Sequence, residues 1–220
     1  MSDPSVSPSK SYTAFLGDRL VASGNLLDVA LGAKKVLDQG EAHPLLVFDD
    51  LTSELVEIDL RGSAEDVASR IRDAGLGAEA VQKAQQGPGR PKLGVVGREV
   101  TLLPRHWEWL DAQPGGASVT LRKLVEEAKR ANVGRDQFRI AQEATYRFMR
   151  DMAGDRPGFE EAIRVLFSSK NRRVGPFEAL VADWPKDIRR HVLELFKRTV
   201  KLENLQSTGK QSGDSQTTTV

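Results

Sequence analysis

A chain of 220 residues with 39% hydrophobic and 29% charged side chains can build one large or two small domains with a real core and a well-solvated surface. Having no cysteine, it excludes disulfides, thiolate metal sites and a cysteine nucleophile, and no run reaches the roughly 18 apolar residues of a membrane span. The N-terminal MSDPSVSPSKSY has neither the basic nor the apolar region of a secretory signal, so a cytoplasmic location and no membrane partner are expected.

The net charge of +1 hides a polarity along the chain. Residues 1–86 carry 8 Lys/Arg against 14 Asp/Glu, residues 87–150 carry 12 against 7, and residues 151–220 carry 12 against 10. A basic middle between a more acidic start and a nearly balanced end points to an anionic partner for the central segment, or to an ordinary solvated surface.

In chain order, residues 1–11 are too poor in apolar side chains to fold and are expected to be disordered. Tyr12–Leu16 and Arg19–Ser23 flank Gly17-Asp18 as a hairpin. Asn25 and Asp28 form a capping pair ahead of Leu26, Leu27, Ala30, Leu31 and Val36, which predicts an amphipathic helix ending near Gly40. Leu45–Phe48 and Glu54–Leu60 read as two further strands, the second with clear alternation. Ser63 with Asp66 caps a helix bearing Val67, Ile71 and Ala74 that Gly75 stops. Residues 12–76 are therefore expected to be an N-terminal ββαββα domain.

Residues 77–97 have the composition of a basic Gly/Pro linker, with Gly87-Pro88-Gly89-Arg90-Pro91 at its heart. A strand–helix–helix segment is expected over 98–133: strand Arg98–Leu103, helix Pro104–Gln113, and helix Ser118–Ala131 with Leu121, Leu124, Val125 and Ala128 at i, i+3, i+4 and i+7. Residues 134–204 read as a helical region with stripes at Phe138, Ala141, Thr145, Phe148 and Met152, at Phe159, Ile163, Leu166 and Phe167, and at Ile188, Val192, Leu195 and Phe196, with a short helix at Phe177, Leu180 and Val181 between the last two. The Ser/Thr/Gln-rich 205–220 is expected to be a disordered tail. The fold class is thus α+β.

No phosphate-cradling loop, dinucleotide fingerprint, zinc-helix motif or nucleophile elbow is present. His43, His106 and His191 share no metal-ligand spacing. No cofactor, metal or catalytic residue is assigned, and an enzyme is the less favoured class. One opening for chemistry is Asp49-Asp50 with Glu57 and Asp59, carboxylates that would gather at one end of a small sheet, although an Asp-rich turn is commoner.

Gly89-Arg90-Pro91-Lys92 resembles the core of an AT-hook, which lays an extended Arg-Pro segment in a narrow minor groove. The order of parts over 98–131 resembles a ribbon-helix-helix protomer, a DNA-binding family in which strands from two chains pair and enter the major groove. That likeness implies Arg90 and Lys92 on the backbone or minor groove, Arg98 and Thr101 on the ribbon, and Ser118, Arg122 and Lys123 anchoring phosphate. It also implies a homodimer, because a lone ribbon strand leaves an unpaired edge. The ribbon is poor in base-reading donors: Val100 and Leu102 share the face of Arg98, so backbone contact is expected over sequence reading. The alternative is a protein-interaction module using Trp107, Trp109 and the C-terminal helices.

The phrases YTAFLGDRLVASG, LLVFDD, EIDLRGS, GRPKLGVVGREVTLLPRHWEWLDAQPGGASVTLRKLVEEAKR and YRFMRDMAGDRPGFEEAIRVLF make the chain similar to a bacterial family, the domain of unknown function 2239. That resemblance implies a bacterial, cytoplasmic protein and a genuine central unit, and it implies no activity.

Overall fold

The structure, a computed structural model, describes residues 10–74 and 96–211. The described residues divide into two compact units, one formed by those up to residue 74 together with those from 134 onward, the other by residues 96–133.

The first unit is organised around a short antiparallel sheet of order β2-β1-β3, built from β1 (Tyr12–Leu16), β2 (Arg19–Gly24) and β3 (Leu45–Asp49). Gly17, at φ 54°, takes the left-handed conformation that the β1–β2 turn demands. All five residues of the central strand β1 are buried, so both of its faces are covered. Tyr12 and Ala14 point to one side, where Val47 of β3 joins them beneath α1 (Leu26–Leu37) and α2 (Ala64–Asp73). Phe15 points to the other side with Phe48, against the C-terminal helices. The largely apolar run of β1, broken by Thr13 whose hydroxyl donates to Asp50, is the pattern of a strand buried on both faces.

Local signals work as expected in α1 and α2. Asn25 accepts from the Asp28 amide at 3.0 Å, and Ser63 with Asp66 forms a full capping box. The expected strand Glu54–Leu60 does not form; a single bridge links Leu55 to Phe48. Asp59 explains the departure, because its carboxylate accepts from the Arg61 backbone amide at 3.1 Å and from its guanidinium, turning the chain off the sheet edge. The N-terminal unit is therefore ββαβα.

Beyond the second unit, the chain continues with the latter part of α4 (Gly116–Ala153), then α5 (Phe159–Phe167), α6 (Val174–Leu180) and α7 (Lys186–Gln211), with α3 (Pro104–Asp111) preceding them. Phe148, Met149, Phe177, Ile188, Val192 and Phe196 are fully buried and join Phe15 and Phe48 in one core. Burying each such side chain contributes roughly 1.5–3 kcal/mol. Phe177 stacks on Phe196 at 3.8 Å, and the buried hydroxyls of Thr145 and Thr199 meet at 3.1 Å between α4 and α7. Polar ties reinforce the joint: Arg147 donates to the Thr52 carbonyl at 3.0 Å, and the Leu20 amide donates to Asp187 at 3.0 Å. The sheet and the region 134–204 thus pack as one body, because one face of the sheet has no other cover.

Two helices run past their expected ends. α4 continues through Gly134, whose carbonyl accepts from Gln206 of α7 at 2.8 Å; the roughly 1 kcal/mol helix penalty of a glycine is outweighed by that hydrogen bond and by the burial of α4 from Ala141 onward. α7 extends to Gln211, past the expected tail boundary at 205, and residues 212–220 of that tail lie outside the described residues, as do residues 1–9.

Candidate interaction site

The second unit is built by short-range chemistry. Pro104 opens α3 at a position where its missing N–H costs no hydrogen bond and its fixed φ suits the helix. Gly115 and Gly116 follow at φ 90° and 70°, and this left-handed pair turns the chain into α4. Leu110 is the single buried residue of α3. Trp107 and Trp109 stay 37% and 53% exposed. Lying two residues apart, they face widely separated sides of the helix.

The predicted stripe of α4 is present, and none of Leu121, Leu124, Val125 and Ala128 is buried; Leu124 and Val125 are 42% and 60% exposed. Of the thirteen large apolar side chains left exposed among the described residues, nine fall between Val96 and Val133. An amphipathic helix ordinarily stabilises itself by burying that stripe, so this surface has apolar burial still to gain.

The residues expected to hold nucleic acid are distributed unevenly. Arg90 and Lys92 lie outside the described residues. Arg98 and Thr101 are exposed in a stretch, residues 96–103, without regular secondary structure; the expected strand 98–103 has no described strand to pair with. Ser118 does not cap α4, because the Gly-Gly turn lets the helix begin at Gly116, leaving Ser118 inside the first turn. Its hydroxyl accepts from Arg122 Nη2 at 3.0 Å while Arg122 Nε donates to the Ser118 carbonyl at 3.0 Å, so these two groups are engaged with each other. Lys123 is exposed on the adjoining flank. Across 98–133 there are six Lys/Arg and five Asp/Glu, so the positive charge of the middle of the sequence belongs mostly to its neighbours.

The carboxylates considered for metal or acid/base chemistry do not gather. Asp49 accepts from the amides of Leu51 and Thr52 at 2.8 and 3.0 Å, closing a turn. Asp50 accepts from the Thr13 hydroxyl at 2.7 Å. Asp59 pairs with Arg61 and Arg70, and the Arg61 hydrogen bonds hold its carboxyl well below the usual carboxylate range. Among the described residues no group of three or more His, Asp or Glu side chains could hold a metal ion.

A polar cleft of about 490 Å³ that no sequence pattern announced lies within the first unit, lined by Thr13, Ser23, Asp50, Arg190, His191, Glu194 and Arg198 among others. His191 packs its ring against Phe148 at 4.5 Å and Phe15 at 5.5 Å. Burial pushes its pKa down to about 4, with Arg198 and Arg190 acting in the same direction and Asp50 opposing them. Arg198 donates to the carbonyls of Asp50 and Leu51, both at 2.8 Å, and burial lowers its pKa against the pull of Asp50 and Asp49. The groups meet across more than 140 residues of chain, beyond the reach of spacing rules. The Arg198 hydrogen bonds fasten the turn after β3 to α7.

Fold and surface together define an α+β protein whose small sheet is covered on both faces and whose central helices leave apolar side chains in solvent. The chain belongs to the family described as an uncharacterized protein conserved in bacteria, the domain of unknown function 2239, whose model matches residues 11–196. No curated protein and no solved structure matches the chain. Among the described residues no helix is long and apolar enough to cross a membrane.

Proposed function

We propose that this is a non-catalytic accessory protein that binds a macromolecular partner through its central unit, with the covered sheet and C-terminal helices as the scaffold. The observation that carries this reading is the concentration of exposed apolar side chains between Val96 and Val133, including both tryptophans. Protein interfaces are enriched in aromatic side chains, and tryptophans are favoured anchors there. The near-balance of charge over 98–133 favours a protein partner over a polyanion. The test is affinity capture by the tagged full-length chain from a bacterial lysate: a specific co-purifying protein should be retained by wild type and lost with Trp107→Ala/Trp109→Ala. Retention by the double variant overturns the reading.

A DNA-binding regulatory role through the same unit is the second reading, favoured by the exposed Arg98 and Lys123 and by the ribbon-helix-helix likeness of the sequence. It predicts duplex binding that weakens with salt by a slope of about −0.9 per neutralised phosphate. Fluorescence anisotropy with mixed-sequence duplex at low salt, flat for wild type, removes it.

A further inference from the structure

We propose that the apolar stripe of α4 is a seam for a second copy of this chain, packed antiparallel about a two-fold axis between Leu124 and Val125. The reading rests on the central unit being a binding surface, and it names the occupant of the α4 face.

The case comes from the order of residues on the exposed part of the helix. The stripe is symmetric about the midpoint of Leu124 and Val125: Leu121 lies as far before it as Ala128 lies after it. At roughly 3.6 residues per turn, Arg122 and Glu126 fall on one flank of the stripe, and Lys123 and Glu127 fall on the other. Each flank therefore carries a cation followed, four residues later, by an anion. All four charged side chains are exposed.

A two-fold axis perpendicular to a pair of helices reverses one against the other and brings each flank onto the same flank of the second copy. Arg122 then stands opposite Glu126 of the second copy, and Lys123 opposite its Glu127, with both pairs repeated by symmetry. Leu124 meets Leu124 on one side of the axis and Val125 meets Val125 on the other, while Leu121 meets Ala128. An isologous interface requires this self-complementarity, in which residue i meets j and j meets i. A parallel pair would set Arg122 beside Lys123 and Glu126 beside Glu127, like against like, so charge selects the antiparallel arrangement. The seam also supplies the burial that Leu124 and Val125 lack within one chain.

The test uses the full-length chain. Light scattering at tens of micromolar should return twice the 24.2 kDa chain mass, and Leu124→Asp/Val125→Asp should return the single-chain mass while keeping wild-type helical circular dichroism. Because the chain has no cysteine, orientation can be read by oxidation. Leu121→Cys and Ala128→Cys proteins should each form at least tenfold less disulfide dimer alone than when mixed, since bridging needs Cα atoms within about 7 Å. A monomeric wild type overturns the seam, as does a dimer that survives Leu124→Asp/Val125→Asp or efficient self-crosslinking of Leu121→Cys. A monomer that still captures a tryptophan-dependent partner overturns the seam alone and leaves the proposed function standing. A dimer with no such partner does the reverse.

Discussion

Protonation of His191 offers a direct measure of how tightly the sheet is clamped to α7. In the folded chain burial holds this imidazole at about 4, against 6.5 when exposed. The cation is the disfavoured form, so between these values the unfolded chain binds the proton and the folded chain does not. The resulting stability is therefore fully present above pH 6.5 and is lost as pH falls toward 4. At 1.36 kcal/mol per pKa unit the loss is about 3 kcal/mol. Urea unfolding of the full-length chain at intervals from pH 4.5 to 8 reads this as a falling midpoint. His191→Gln, which cannot titrate, should be less stable at pH 8 and should show a much flatter dependence between 6.5 and 4.5. Depressed carboxylates such as Asp59 and Asp66 contribute stability that is present above 3.8 and lost below it, so they do not mimic the effect. Parallel profiles for wild type and His191→Gln would refute the burial reasoning.

Other consequences follow from particular contacts. Gly158, at φ 78°, caps α5, and a Cβ there would stand 2.5 Å from the Leu180 backbone carbonyl oxygen; Gly158→Ala should cost about 3 kcal/mol in a urea titration, combining strain and clash. Arg198→Met leaves the Asp50 and Leu51 carbonyls without their donor and should cost about 1–3 kcal/mol, seen as a lower thermal midpoint with helical circular dichroism retained. Ser63→Ala removes the α2 capping box and should cost about 1 kcal/mol by chemical denaturation, with little change in oligomeric mass.

Local order was largely legible in the sequence. The Asn25 and Ser63 caps, the Gly17 hairpin and the Pro104 helix start are set by a few adjacent residues, and each appears where its spacing places it. Glu54–Leu60 was misread because its alternation is genuine while the Asp59–Arg61 bonds that bend it away from the sheet also satisfy it locally. The helix expected to end at Ala131 runs on through Gly134, because a glycine ends a helix only when nothing beyond it rewards continuation, and here Gln206 and the C-terminal core do. Of the surface now proposed to bind, the α4 stripe was readable at its helical period; its exposure was not, since an amphipathic pattern reads the same whether or not a neighbour covers it.

By itself the sequence determined the α+β class, the helix caps, the apolar stripes and the symmetric charge order along α4, because these depend on residues within a turn or two of one another. Tertiary structure alone decided that β1 is buried on both faces, that His191 packs on Phe15 and Phe148 while Arg198 reaches back to the turn after β3, and that the α4 stripe stays in solvent. Each of those outcomes turns on which distant surface arrives to cover an apolar face, and burial is a property of the assembled chain rather than of any window within it.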